Sequence, residues 1–276
     1  MSSAFSDVIS SSDNSCSAFD DVLNESNYSI DDFEIRDVDY HRGRDFIKEY
    51  HYSGGCGTAV MLWGCFHSET DELFGVIAFQ TPISENTRNY IFGDRECNCL
   101  DTHLRDYHGW TGEGDPQYKP EPCEWVVEDH KWKQHVTELH RLAIKPECPQ
   151  NTASWLIENG LRELKKYKPK YRAVISFADT TEGHDGTIYQ ATNAIYYGMT
   201  DESTFYRDQD GRLRNPRQCG ENITLEKAED RGWTPEKRES KHRYLYLLPD
   251  PYQSREDLRD ELDVEPQAYP DPIIES

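Results

Sequence analysis

Residues 135–179 are punctuated by proline in a way that leaves few folds open. His135 to Ile144 reads as a strand, and Pro146 and Pro149 then break the chain. Asn151 or Thr152 caps a helix that runs to Tyr167, with Leu156, Ile157, Leu161 and Leu164 on one side. Gly160 lowers the propensity of that helix and allows close packing. Pro169 ends it, and an apolar strand follows over 171–179. A strand, a helix and a strand in that order predict a crossover on a sheet.

The flanking segments extend the pattern. Phe33 to Val38 reads as a short strand, and Asp39 to Tyr50 as a helix. Ala59 to Phe66 and Leu73 to Gln80 read as a hairpin turned by Ser68-Glu69-Thr70-Asp71. The loop Gly183-His184-Asp185-Gly186 leads to a helix over 186–197 with Gly198 as its C-cap. Residues 201–240 are polar, with a turn at Asp208-Gln209-Asp210-Gly211, and His242 to Leu248 is the last strand. The predicted class is α/β: a mixed central sheet flanked by helices, in one domain over 33–250. Residues 84–133 have no clear period and read as an irregular insertion. Residues 1–32 read as a disordered acidic tail and 251–276 as an acidic C-terminal tail.

Charge sets limits on function. The chain of 276 residues carries a net charge of -22, with twelve lysines and eighteen arginines against 52 acids. An acidic surface adapted to high salt accounts for this, because at 1 M salt the Debye length is about 3 Å. Such a surface opposes backbone-driven nucleic-acid binding, yet it leaves DNA open as a substrate. The eight cysteines are scattered, and the first 35 residues hold no Lys or Arg. A soluble intracellular protein with reduced thiols is the expectation. No run approaches the roughly 18 apolar residues of a membrane span.

Several groups could carry chemistry. His51-Tyr52-Ser53-Gly54-Gly55 is either a glycine turn or a loop offering a titrating ring and a phenol. In Glu138-Leu139-His140-Arg141-Leu142, strand alternation puts Glu138 and His140 on one face and Leu139 and Arg141 on the other. A structural ion pair and a site role are equally open there. The start of the helix at 149–154 can face an anion or act as an ordinary cap. Asp179, at a strand end, suits a general base or an orienting carboxylate. Tyr189, Asn193, Tyr196 and Tyr197 form a stripe at helical spacing that is either core or cleft wall. Cys97, Cys99, His103, His108 and Cys123 lack paired metal-ligand spacing, so no metal is expected.

The segments YHYSG, GVIAFQTP, ELHRLAI, the NTAS-led helix and SFAD followed by GHDGTIYQATNAIYYGMT stand in one order. Together they resemble the Mom family of bacteriophage DNA-modification proteins, a branch of the GNAT acyltransferase fold. The resemblance covers roughly residues 33–200 and is strongest over 138–200. It implies a GNAT-like fold and a transferase that converts adenine N6 in viral DNA to a carbamoylmethyl-type derivative, shielding the genome from host restriction. It implies Tyr52, Ser154, Asp179 and Tyr189 as catalytic residues. His51, Glu138, Asn193 and Tyr196 would bind substrate, and Asn151 and Thr152 a cofactor. Tyr196 or Trp110 would stack on a flipped base. Acyl-coenzyme A is the donor usual for the fold, but residues 146–154 hold no Gly-rich loop, so the cofactor stays open. The implied partners are DNA and a small-molecule group donor in the host cytoplasm, with no membrane and an open oligomeric state. Two other readings remain: an N-acyltransferase acting on a protein or small-molecule amine, and a non-catalytic DNA-interaction protein.

Overall fold

The computed structural model describes residues 28–57, 59, 61–82, 84–93, 131–216, 219, 223–249 and 253–270. The N-terminal tail to residue 27, most of the expected insertion, Trp110 and the cysteines and histidines of the metal candidate lie outside these residues.

Seven strands make the main sheet: β1 (Phe33–Asp37), β2 (Met61–His67), β3 (Leu73–Gln80), β4 (Val136–Ile144), β5 (Ala173–Asp179), β6 (Ile195–Met199) and a last strand, Lys241–Leu247. Before that last strand come β7 (Ser203–Arg207), β8 (Leu213–Arg214) and β9 (Thr234–Arg238), so it is β10. The helices are α1 (Tyr40–Tyr50), α2 (Glu85–Phe92), α3 (Thr152–Tyr167), α4 (Thr187–Ala191), α5 (Leu225–Asp230) and α6 (Arg255–Asp260). The sheet order is β1-β2-β3-β4-β5-β10-β6, so the last strand slots between β5 and β6. This is the mixed α/β sheet flanked by helices that the sequence predicts.

Each face of the sheet is covered for a reason visible in the residues. The apolar stripe of α3 buries Leu156, Ile157 and Leu164 against Phe74, Ile77, Phe79 and Val174. Each such side chain contributes about 1.5–3 kcal/mol of transfer free energy. A Cβ on Gly160 would come within 2.8 Å of Ile77, so glycine is what lets α3 sit this close to β3. On the other face, Phe46 and Ile47 of α1 cover β2–β4. Ile91 and Phe92 of α2 and Leu258 of α6 cover β5 and β10.

Three segments differ from expectation. The helix predicted over 186–197 stops at Ala191, and Asn193 turns the chain at φ 58° into β6. Aromatic and β-branched residues favour a strand there. Tyr196 and Tyr197 accordingly fall on opposite faces, in separate cores. Gly198 is no helix cap; at φ 95° it lies where the β10–β6 register shifts by a bulge. The polar residues 203–238 form a second sheet, β8-β7-β9, which with α5 closes over Tyr206, Ile223 and Ala228. The acidic C-terminal stretch is packed. Asp263 N–H donates to Ile91 O, Gln267 N–H to Tyr196 O, and the Tyr269 hydroxyl to Ala194 O. Among the described residues no helix is long and apolar enough to cross a membrane.

The packing of the C-terminal stretch is testable. Leu258 is fully buried, so Leu258→Ala should cost about 3 kcal/mol in urea unfolding. An unchanged midpoint would mean that this stretch is a free tail.

Candidate active site

β4 and β5 are the one parallel pair among the described strands, and they stay paired only over Val136–Glu138 and Ala173–Ile175. The Ser176 hydroxyl then donates to Leu139 O at 3.3 Å, and the strands part. On its other edge, β4 places Leu139 opposite Phe79 but Arg141 opposite Ala78. His140 is therefore one residue too many, a bulge. Phe79 and Ala78 are neighbours and point to opposite faces, so Leu139 and Arg141 do too. The expectation that these two share a face fails for that reason. Glu138, His140 and Arg141 all line a cleft of about 1310 Å³, with Phe177 and Ala178 of β5 on the far wall. The loops at 50–52 and 183–189 and residues 200–205 complete it.

Local contacts hold the near wall. Arg141 Nε donates to Gly55 O at 2.8 Å and Nη1 to His140 O at 2.6 Å, which ties the loop after α1 to β4. A Cβ at Gly57 would meet His140 Nε2 at 2.6 Å, so the loop closes only with glycine there. His51 Nδ1 accepts from the Ser53 amide at 3.1 Å, so that nitrogen is bare and a neutral ring carries its proton on Nε2. Burial, helped by Arg141, His140 and His184, lowers the His51 pKa to about 4. The Tyr52 ring stacks between His51, at 4.3 Å, and His184, at 4.9 Å, and is 52% exposed at the mouth. Tyr189 is half-buried against Tyr244. Burial raises its phenol pKa; Tyr52 and Glu138 add to the rise, and Ser176 and Arg141 oppose it. Those four charges and dipoles thus act on one small volume.

Glu138 is the unusual member. Its side chain is only 15% exposed, and its Oε1 stands 3.3 Å from His140 Nδ1. Among the described residues that is its one hydrogen-bonding contact, and no lysine or arginine stands within ion-pair distance, although Arg141, whose Nη1 lies 3.3 Å from the same His140 Nδ1, acts on it through space.

The sequence matches the Mom protein family over residues 116–271, more than half of the chain. The chain belongs to the Mom protein family. It is 38% identical over 69 residues to the methylcarbamoylase Mom of Escherichia phage Mu. That stretch is 25% of this chain and spans only 28% of the phage protein. Among solved structures it is similar to a GNAT-family acetyltransferase from Streptococcus pneumoniae, with TM-score 0.37 and 9% identity. That similarity covers 78% of this chain and 99% of the other. It is also similar to the IAA acetyltransferase of Bacillus cereus, with TM-score 0.36, 9% identity and coverage of 78% and 99%.

The cleft of this Mom-family chain brings together His51, Tyr52, Glu138 and Tyr189, but not the other residues implied by sequence. Asp179 stands at the end of β5, yet its carboxylate is nearly inaccessible and fully engaged. Lys241 Nζ lies at 2.6 Å and Arg238 Nη2 at 3.2 Å, and the Thr181 amide donates to it at 3.2 Å. Burial raises its pKa, but the contacts with Lys241 and Arg238 outweigh that and hold it below the ordinary carboxylate value. Asp179 is thus a clamp joining β5, β9 and β10, and it does not line the cleft.

Tyr196 is buried, with its hydroxyl 3.0 Å from His242 Nδ1. Asn193 is exposed, and its carbonyl accepts from Arg255. Asn151 sits at the α3 N-cap at φ 72° with no side-chain cap bond. Both the amide and the hydroxyl of Thr152 donate to Pro149 O. Both Thr152 donors are thus used within the turn, and Asn151, Thr152 and Ser154 do not line the cleft. Arg141, His184 and Lys241 were not foreseen as cleft residues. The signal for Arg141 was present, since Leu139 and Leu142 are three apart where strict alternation needs two or four.

Two outcomes follow. His51 should titrate near pH 4 by NMR, with Nδ1 unprotonated above that; a midpoint near 6.5 would refute its burial beside Arg141. Between about pH 4 and 6.5 the unfolded chain alone binds a proton at His51, so stability falls as pH drops through that window. Asp179→Asn should lose about 3 kcal/mol at pH 7, because Lys241 loses its carboxylate and Arg238 keeps only Glu182. The depressed carboxyl stabilises the fold above its unfolded value of 3.8. The deficit should therefore vanish as pH falls through the folded value, which acid melts of the two proteins can check.

Proposed function

We propose that this chain is a DNA-modifying transferase that adds a small carbamoylmethyl-type group to adenine N6 and so protects viral DNA from host restriction. The observation that carries the reading is Glu138. It is a mostly buried carboxylate that no lysine or arginine among the described residues holds in an ion pair, placed where β4 and β5 part, in the cleft that Tyr52, His184 and Arg141 also line. Membership of the Mom family and the partial match to the methylcarbamoylase of phage Mu support it.

The chemistry needs these groups. The N6 lone pair is delocalised into the ring, so a base must take an N6 proton as the new N–C bond forms and the donor loses its leaving group. Glu138 is that acceptor, and such catalysis contributes about 10²–10⁴-fold. Arg141, fixed beside it by two carbonyls, supplies positive charge where the leaving group departs. The target base has to leave the duplex stack, and Tyr52 and His184 offer it rings to rest against. The acidity of the chain is read as adaptation to high salt, so the cell used for the test should tolerate it.

The test is nucleoside mass spectrometry of DNA from restriction-proficient cells making the soluble protein. A modified deoxyadenosine of increased mass is expected, and Glu138→Gln should reduce it by about 100-fold or more. Unmodified deoxyadenosine in cells making the wild-type protein would remove the proposal. A Glu138→Gln protein with full activity would remove Glu138 as the proton acceptor.

A further inference from the structure

Beside the cleft lies a feature that the proposed chemistry does not use. Arg243 of β10 pairs in register with Phe177 of β5. By alternation it faces the same side of the sheet as Lys241. Its guanidinium carbon stands 5.0 Å from the ring centre of Tyr90 on α2 and 5.0 Å from that of Tyr197 on β6. The two rings are 6.5 Å apart and inclined at 36°. Arg243 Nη2 donates to Tyr197 O at 3.2 Å, and among the described residues no carboxylate pairs with it. Like Arg141 in the cleft, it carries its charge without a paired carboxylate among the described residues, in a chain with 52 acids against 30 bases. Tyr197 is buried, whereas Tyr90 is 51% exposed.

The position of this ledge is set by its neighbours. Phe177, Lys241 and Thr87 all line the cleft. Phe177 is the cross-strand partner of Arg243, Lys241 is two residues away, and Thr87 is one helical turn before Tyr90. A polymer whose reacting unit sits in the cleft would carry its adjoining unit over Tyr90.

We propose that Tyr90, backed by Arg243, is a stacking ledge for a nucleotide next to the target base, and that the partner is a single-stranded or locally opened stretch of DNA. The proposal rests on the reading of the cleft as a DNA-modifying site. An exposed ring held by a guanidinium behind it offers a flat, pre-oriented π-surface, which binds any base with little regard to sequence. The charge of -22 opposes steering of a phosphate chain, so short-range stacking has to supply the contact.

The test uses the full chain and a fluorescein-labelled 12-nucleotide single strand with one adenine, followed by fluorescence anisotropy over a salt series. Tyr90→Ala should weaken binding about tenfold. Tyr90→Trp should restore it, and the salt slope should barely change in either. Arg243→Gln should weaken binding in the same direction. Circular dichroism melts should match for the Tyr90 variants, because the ring is exposed. Equal affinity of Tyr90→Ala and wild type would overturn the ledge and leave the DNA reading standing. So would a loss that tryptophan does not restore. A wild-type chain that binds neither the strand nor its duplex would instead overturn the DNA reading, and the ledge with it.

Discussion

The parting of β4 from β5 after three residue pairs is the constraint on which the site depends. Parallel strands in a mixed sheet are normally held by a continuous ladder, and the backbone groups of a strand that loses its neighbour need other partners. Here the Ser176 hydroxyl takes the Leu139 carbonyl, and Arg141 takes those of His140 and Gly55. The bulge at His140 then lets three polar residues within four positions line the opening. A regular strand would have shown the cleft one residue in two. The bulge makes it possible for Glu138, His140 and Arg141 to act on one point.

The far side of the cleft is organised by charge. Asp179 and Glu182 at the end of β5 both bind Arg238 of β9, and Lys241 at the start of β10 completes the group. The second sheet is thereby tied to the main one at the rim, next to residues 200–205 that line the cleft. A carboxylate so placed holds the wall together through Arg238 and Lys241. Its loss would disturb the wall and remove activity by a structural route, so a dead Asp179 variant alone would not identify a base. The uncommitted state of Glu138 separates the two roles.

Much of this arrangement was legible in the sequence where burial imposed a pattern. The apolar runs of β3 and β5, the stripe of α3 and the proline breaks around it reported two-sided burial or a single packed face. The reading failed where structure depends on partners distant in sequence. Tyr189, Asn193 and Tyr196 fit a helical period, but the pairing of Ile195–Met199 with β10 decides for a strand. β7 and β9 are polar on most positions because they cover a small core, so they carry no strong alternation. The ion pairs of Asp179 were not legible, because Arg238 and Lys241 lie about 60 residues further on and no local motif announces them. Tyr52 and His51, singled out from local chemistry alone, do line the cleft.

The acidity of the chain bears on how such a cleft can hold a polyanion at all. With little to gain from counterion release, affinity has to come from contacts that work at short range: stacking on rings and hydrogen bonds to an extruded base. The rings are where that argument needs them. Tyr52 and His184 stand at the mouth, and Tyr90 stands on the flank beside the cation that no described carboxylate neutralises. A site built this way gives up the fast, long-range capture of a basic protein. In return the stacking part of such a contact does not depend on screened charge. On the proposed reading, the high net charge and the aromatic rim belong together: rings at the mouth and flank would supply the contact that a surface of charge -22 does not.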